Sequence, residues 1–179
     1  MVALGECAVH PSNTSRQLSW DDRIIPRYRR IAELVHEFDT AVIAQLAHGG
    51  RNAAVRQRRE LDGDWLSWAP TALPVPSFAS AQAMPHEMTT AEVEELVGAH
   101  RAAAERIRAG GLDGSEIQIG FGYLISQFLH AHSNRRTDKY GGNTLEERMT
   151  FLYEVLRAVR DGLGPDLLLG ARLIDDMVE

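Results

Sequence analysis

Cysteine, lysine and long apolar runs are all scarce in this chain of 179 residues. The single cysteine, Cys7, excludes an internal disulfide framework and a cysteine-based zinc site. The apolar runs are far shorter than the roughly 20 residues that span a bilayer. The first residues also lack the basic start and the apolar core of a secretory signal. We therefore expect a cytoplasmic protein without a membrane partner.

Positive charge is scarce relative to negative charge. The 25 Asp and Glu residues outnumber the 19 Lys and Arg residues, which leaves a formal net charge of −6. A surface with this balance repels phosphate backbones and anionic lipid, so we expect no nucleic acid partner. The content of 44% hydrophobic and 25% charged residues is that of an ordinary globular protein. The length suits one domain, residues 1–179.

Short apolar runs alternate with amphipathic stretches. The runs are too short for helices and are bounded by turn residues, which indicates buried parallel strands. They are Val2–Gly5, Ala41–Leu46, Gly114–Ile119 and Leu167–Leu173. Between them a helical period predicts three helices, of which the last two open with capping boxes: Pro26–Phe38, Thr89–Ala109 and Thr144–Asp161. This order predicts an α/β fold, a parallel sheet or a (β/α)8 barrel with helices on one outer face.

Polar residues end each apolar run, and two connections are longer than the alternation requires. The carboxyl ends of parallel strands face the ligand in such folds, and long loops carry sites. The long connections are Ala47–Met88, with a basic cluster at Arg51–Arg59 that we interpret as a solvated loop, and Gly120–Asn143. The residues at the ends of the runs are Glu6 and Cys7, Gln45, Gln118 with Tyr123 just beyond, and Arg172. An amide, a phenol and a guanidinium suit a planar polar heterocycle.

Neither a metal site nor a lysine-dependent reaction is expected. The candidate metal ligands are His48, His130 and His132, and none has a carboxylate or a second histidine at the spacing of a metal motif. We interpret them as loop histidines. The only lysine, Lys139, lies outside the predicted strands, which argues against a flavin-free barrel enzyme such as an aldolase.

One run of ten residues, SNRRTDKYGG at Ser133–Gly142, resembles the signature that follows the fourth strand of the old yellow enzyme family. This family comprises FMN-dependent ene-reductases. Further segments match the family in the same order: Gln45–Arg51, Ala69–Pro74, Pro85–Thr89, Gly122–Leu129 and Gly170–Leu173. The resemblance covers essentially the whole chain and is nearer to the branch that contains 2,4-dienoyl-CoA reductase and trimethylamine dehydrogenase.

The resemblance implies a TIM (β/α)8 barrel of which only about strands 2 to 5 are present, because full members have roughly 250 residues or more. The first strand would contribute flavin contacts, and the last three would carry the FMN phosphate site. We therefore expect this chain to be a fragment that binds FMN weakly or not at all. In the larger branch, regions further along the chain would hold a 4Fe-4S cluster and FAD. A homo-oligomer is expected for a full-length form.

The resemblance also implies roles in cofactor binding and proton transfer. Gln45 would hydrogen-bond the pyrimidine edge of the flavin, and Arg172 would lie beside N1 and the C2 carbonyl, where negative charge accumulates on reduction. Cys7 would pack its backbone against the cofactor. Tyr123 aligns with the proton donor, which protonates the α-carbon after hydride has moved to the β-carbon.

The substrate-binding positions depart from the family pattern. Gln118 and Phe121 stand where simple ene-reductases have a His-His or His-Asn pair. Gln118 can still donate a hydrogen bond, whereas Phe121 can pack on an acyl chain or face an amine cation. We expect hydride transfer from NAD(P)H through FMN to the activated C=C bond of a small enone or enoyl thioester, with Tyr123 as the proton donor. The alternatives are a flavin-dependent N-methyl amine dehydrogenase or demethylase, and a non-catalytic fragment of such an enzyme.

Overall fold

The computed structural model describes residues 1–13, 17–53, 67–74 and 84–173. Its strands, numbered along the chain, are β1 (Val2–Ala8), β2 (Gln17–Leu18), β3 (Val42–Ala47), β4 (Trp68–Ala69), β5 (His86–Glu87), β6 (Gly114–Gln118) and β7 (Leu168–Arg172). Its α-helices are α1 (Ile25–His36), α2 (Thr90–Ala109), α3 (Leu124–Leu129), α4 (Leu145–Arg148) and α5 (Thr150–Leu163). Short 3-10 helices occupy Asp22–Ile24 and Gly50–Asn52.

The centre of the molecule is a five-stranded parallel sheet in the order β2-β1-β3-β6-β7, and β4 and β5 form a separate parallel pair. The four long strands therefore lie side by side in sequence order, as predicted. Across the described ranges, no helix combines the length and the apolar character that crossing a membrane requires. Most of the predicted loop Ala47–Met88, including residues 54–59 of the basic cluster, lies outside the described residues.

The helices cover one face of the sheet. Val42, Ala44 and Leu46 alternate along β3 on this face, and Ile117 of β6 joins the same buried cluster. Helix side chains complete the cluster, among them Tyr28, Leu96, Ile107, Val155 and Val159. The prediction of helices on one outer face is therefore confirmed for α1, α2 and α5.

Helices α2 and α5 approach each other closely at Gly162. A Cβ atom added at Gly162 of α5 would lie 2.6 Å from the carbonyl oxygen of Arg101 and 2.8 Å from the Cβ of Ala104. Only a residue without a side chain fits there. The capping box that starts α2, formed by Thr89 and Glu92, is present as predicted.

The predicted third helix is divided in two. The capping box of Thr144 and Glu147 starts α4 as expected, but the α-helix is interrupted at Met149. The N–H of Met149 bonds to the carbonyl of Glu146 at 3.2 Å as well as to that of Leu145 at 3.0 Å. This tightening of the last turn towards 3-10 geometry separates α4 from α5.

The prediction of a buried fourth strand was wrong for β7. Its residues are mostly exposed, and Leu168 keeps 52% of its surface accessible. The cause is its place at the edge of the described sheet, with one neighbouring strand and with no helix over one of its faces. Of the residues in β7, only Leu169 is partly buried against the core cluster.

Candidate active site

Strand register brings three of the predicted site residues onto one face of the sheet. Gln45 of β3 lies opposite Glu116 of β6, and Gln118 lies opposite Arg172 of β7. Side chains two residues apart on a strand point the same way, so these four side chains share the face that α1, α2 and α5 leave uncovered. They lie towards the carboxyl ends of the strands.

A carboxylate joins the amide and the guanidinium at the centre of this face. The Gln45 Nε2 atom donates to Glu116 Oε1 at 2.6 Å, and Arg172 Nε lies 3.5 Å from the same oxygen. The Gln45 side chain is buried, whereas the Arg172 side chain keeps 50% of its surface accessible. Gly170 stands opposite Glu116 and leaves the space beside it open. Sequence reasoning missed Glu116 because it lies inside an apolar run.

Gln118 is buried and oriented by its own loop. Its Oε1 accepts the N–H of Gly120 at 3.1 Å, which fixes the amide so that its NH2 group points away from that contact. The NH2 group is therefore the part of the side chain that could donate, and its hydrogen bond to a substrate stays a prediction.

A tight turn at Gly120–Tyr123 follows β6. The N–H of Tyr123 bonds to the carbonyl of Gly120 at 3.2 Å, and Phe121 and Gly122 both have positive φ values, 59° and 65°. Two side-chain amides, from Asn52 at 2.9 Å and Gln127 at 2.7 Å, hold the Gly122 carbonyl. The turn projects Phe121 into solvent with 61% of its surface accessible.

Tyr123 contacts a carboxylate that the sequence reasoning placed at the end of the first strand but gave no role. Its Oη donates to Glu6 Oε2 at 3.3 Å. Glu6 has a φ of 37°, and the β1–β3 register shifts between Leu4 and Cys7, so Glu6 lies at a bulge. An L-residue in this backbone region costs about 1–2 kcal/mol, and such strain is often found at functional sites.

The family signature after Tyr123 caps the helix that Tyr123 begins. Three buried carbonyl groups at the end of α3 would otherwise lack partners. Ser133 Oγ donates to the Gln127 carbonyl at 2.8 Å, Asn134 Nδ2 to that of Phe128 at 2.7 Å, and Arg148 Nε to that of Leu129 at 2.7 Å. Ser133 and Asn134 of the signature, together with Arg148 of α4, therefore fix α3 and with it the position of Tyr123.

The Cys7 thiol lies on the other side of the sheet. Cys7 pairs with Leu46 in register, on the face that the helices cover, and is fully buried. Its Sγ atom donates to Gln17 Oε1 at 3.2 Å, and burial raises the pKa of the thiol. The thiol is therefore not part of the open face, and the backbone contact with a cofactor stays a prediction.

The histidines are structural groups. His48 is buried, its Nδ1 accepts the N–H of Gly50 at 3.0 Å, and its Nε2 lies 2.8 Å from Ser12 Oγ. Burial lowers its pKa to about 3, so the ring is neutral. His130 and His132 lie in the segment that follows α3. Among the described residues, no three His, Cys, Asp or Glu side chains are grouped so that they could hold a metal ion.

This donor set fits the edge of a flavin ring system. Because its NH2 group donates to Glu116, the Gln45 amide has its carbonyl oxygen as the acceptor for a further partner. The half-exposed guanidinium of Arg172 keeps further N–H donors and a permanent positive charge. An acceptor and a cation on an open face match a heterocycle that carries an N–H group and gains negative charge.

Four long parallel strands with polar side chains at their carboxyl ends define part of a (β/α)8 barrel with its ligand site. A solved 2-naphthoyl-CoA reductase in complex with 2-naphthoyl-CoA matches 97% of this chain with a TM-score of 0.87 and 28% identity, over 27% of its own chain. The sequence model of the NADH:flavin oxidoreductase / NADH oxidase family matches residues 5–178. The chain belongs to this family, which confirms the resemblance at the level of the family, whereas the placement in one branch stays a prediction.

Two curated relatives illustrate the range of the family. An NADPH dehydrogenase of Geobacillus sp. (strain WCH70) is 40% identical over 149 residues, which are 83% of this chain and 40% of the relative. A multifunctional alkene reductase/demethylase OYE of Caballeronia cordobensis is 35% identical over 162 residues, which are 89% of this chain and 23% of the relative. The chain spans less than half the length of the curated relatives it matches.

Proposed function

We propose that this chain forms part of an FMN-dependent NAD(P)H oxidoreductase that reduces an activated C=C bond in an enone or enoyl thioester. The observation that carries the proposal is the set of an amide, a guanidinium and a phenol at one end of the sheet, from Gln45, Arg172 and Tyr123. Relatives named NADPH dehydrogenase and alkene reductase support this chemistry.

Gln45 and Arg172 are the residues that would hold the flavin ring. FMN, when bound, supplies hydride transfer between NAD(P)H and the substrate. The Gln45 amide presents its carbonyl to a ring N–H, and the Arg172 guanidinium provides fixed positive charge where negative charge develops. Both residues act by orientation and charge, because neither can exchange a proton at neutral pH.

Tyr123 is the proposed proton donor. A phenol keeps its proton at neutral pH and can deliver it to a developing carbanion. In the structure the Glu6 carboxylate accepts the hydrogen of the Tyr123 hydroxyl, which holds the hydroxyl at the carboxyl end of β1. Gln118 supplies an N–H donor to the substrate carbonyl, and Phe121 supplies an exposed aromatic surface for the remainder of the substrate.

The exposed Phe121 ring also favours a second candidate, oxidation of an N-methyl amine. The face of an aromatic ring attracts a cation, and Phe121 presents such a face to solvent beside Tyr123. One relative carries both activities in its name, alkene reductase and demethylase.

Two substitutions test the main proposal by separating electron storage from proton delivery. In the flavin-loaded protein, Tyr123→Phe should leave flavin reduction by NAD(P)H nearly unchanged and slow the reaction with an unsaturated carbonyl by about a hundredfold or more. Arg172→Met should slow flavin reduction instead, because it removes the positive charge that stabilises the reduced flavin. Stopped-flow absorbance of each half-reaction at saturating substrate measures both effects.

The results of these measurements distinguish the roles proposed for Tyr123 and the two candidate functions. Equal slowing of both half-reactions by Tyr123→Phe would show that Tyr123 positions the flavin and is not the acid. Reduction of the flavin by N-methyl amines, without any reaction with alkenes, would select the demethylase candidate. A complete barrel containing this chain that stays colourless with added FMN would contradict both candidates and would favour a non-catalytic protein.

A further inference from the structure

Glu116 lies between the two residues assigned to the flavin and has no role so far. It is opposite Gln45 across the β3–β6 pairing and two residues before Gln118 on the same face. Its side chain keeps only 16% of its surface accessible. A carboxylate this close to a ligand site affects both the charge and the hydrogen bonding of that site.

The contact with Gln45 fixes which way the amide points. A carboxylate only accepts hydrogen bonds, so the atom of Gln45 that lies 2.6 Å from Glu116 Oε1 must be its nitrogen. An amide with a free choice of orientation could offer either its carbonyl or its NH2 group to a ligand. With Glu116 ionised, the carbonyl is the group presented on the opposite side.

The contact with Arg172 affects the charge of the site. The guanidinium Nε lies 3.5 Å from the same Glu116 oxygen, and Gly170, which stands directly opposite Glu116, places no side chain there. The negative charge of Glu116 therefore offsets part of the positive charge of Arg172. Because the Arg172 side chain is half exposed, solvent screens this effect but does not remove it.

We infer that Glu116 is a positioning residue of the flavin site: it orients the Gln45 amide and limits the positive charge that Arg172 presents. This inference rests on the proposed function. Through these two contacts Glu116 would influence the reduction potential of the flavin, which neither Gln45 nor Arg172 would set alone.

Two substitutions separate the two effects. Glu116→Gln removes the charge and keeps the shape of the side chain, so the reduced flavin, which carries negative charge, should be favoured. Glu116→Asp keeps the charge but is one methylene shorter, so the hydrogen bond to Gln45 should be lost while the offset of Arg172 is largely retained. Glu33→Gln is the matched control, because Glu33 is an exposed residue of α1 on the other side of the sheet.

The first measurement needs no flavin. In protein labelled with 15N-glutamine, the side-chain NH2 signals of Gln45, identified by their absence from Gln45→Ala, report the hydrogen bond to the carboxylate. We expect the chemical shifts of these signals to change in Glu116→Gln and in Glu116→Asp and to stay the same in Glu33→Gln. Signals that coincide in the parent and both Glu116 variants would overturn the inference, and Glu116→Asp decides alone if Glu116→Gln does not fold.

The second measurement compares the affinities for oxidised and reduced FMN of the complete barrel that contains this chain. We expect Glu116→Gln to shift the ratio of the two dissociation constants about tenfold in favour of the reduced form, which is about 30 mV for a two-electron couple. Glu116→Asp and Glu33→Gln should keep the ratio of the parent. A role of Glu116 in stability alone would leave the ratio unchanged in Glu116→Gln and would overturn the inference. A complete barrel containing this chain but without affinity for FMN would contradict the proposed function instead, and the Gln45 signals would still decide whether Glu116 holds the amide.

Discussion

Phe121 adopts a backbone conformation that its side chain disfavours. At a φ of 59° an L-residue pays about 1–2 kcal/mol, and the exposed ring recovers little of this by burial. Asparagine tolerates this region, so Phe121→Asn should leave the free energy of unfolding unchanged or raise it by about 1 kcal/mol. The same substitution should weaken binding of a substrate that packs on the ring.

Urea denaturation and the KM for an enoyl substrate measure these two effects. Leu34→Asn is the matched control, since Leu34 is an exposed apolar residue in the right-handed backbone of α1. It should lower stability by about 0.5 kcal/mol through helix propensity alone. A loss of stability in Phe121→Asn as large as in the control would show that the turn does not strain Phe121.

At the scale of residues, the sequence predicts side chains at the ends of strands better than side chains inside them. Gln45, Gln118 and Arg172 were predicted because each interrupts or ends an apolar run. Glu116 was missed because its position depends on the register between β3 and β6, which the sequence does not display. The role of Glu6 was missed because its left-handed backbone depends on the bulge in β1.

At the scale of elements, two helical glycines differ in the space around them. Gly162 lies in the contact between α2 and α5, whereas Gly98 is exposed. Gly162→Ala gains about 0.5–1 kcal/mol in helix propensity, but its Cβ would meet the Arg101 carbonyl at 2.6 Å. Overpacking of this kind costs typically about 1–3 kcal/mol, so the net change should be a loss of about 1 kcal/mol or more.

Gly98→Ala in α2 is the matched control for this prediction. A Cβ at Gly98 meets nothing within 4 Å, so only the propensity gain applies and stability should rise by up to about 1 kcal/mol. Thermal and urea denaturation of the two variants should therefore shift in opposite directions. A gain in stability in both variants would show that α2 and α5 can move apart to accommodate the added Cβ atom at little cost.

Elements with long periodic patterns were predicted closely, whereas short ones were not. The capping boxes placed the starts of α2 and α4 correctly, because a side chain that caps its own backbone is a local signal. Helix α3 fell within a predicted loop, because six residues are too few to display a helical period. Its stability comes from side chains that follow it and bind its last carbonyl groups: Ser133 and Asn134 of the signature, and Arg148 of α4.

At the scale of the whole molecule, buried histidines make stability depend on pH. Burial lowers the pKa of His48 to about 3 and that of His100 to about 4, against about 6.5 in an unfolded chain. The unfolded state therefore binds more protons between pH 6.5 and 4. Stability should be full above pH 6.5 and should fall by roughly 1 kcal/mol per pH unit for each histidine as the pH decreases.

Urea denaturation between pH 7 and pH 4.5 measures this slope. His100→Asn keeps a donor for the Leu96 carbonyl, which His100 Nδ1 contacts at 2.7 Å, and should reduce the slope by about one proton. His132→Asn, at an exposed position, should leave the slope as it is. Asp138 does not affect this range, because the hydrogen bonds from Arg136 lower its pKa to about 2. An unchanged slope in His100→Asn would show that His100 does not contribute to the dependence of stability on pH.

The exposed edge of β7 constrains how any further strand can join the sheet. Leu168 and Arg172 direct their backbone groups towards β6, so Leu169 and Ala171 direct theirs outwards. A strand that arrives through a crossover helix pairs with this edge in the parallel direction. Two copies of the chain that met here about a two-fold axis would pair antiparallel, since such symmetry reverses the strand. The direction of the ladder at β7 therefore distinguishes closure of a barrel from edge-to-edge association of copies.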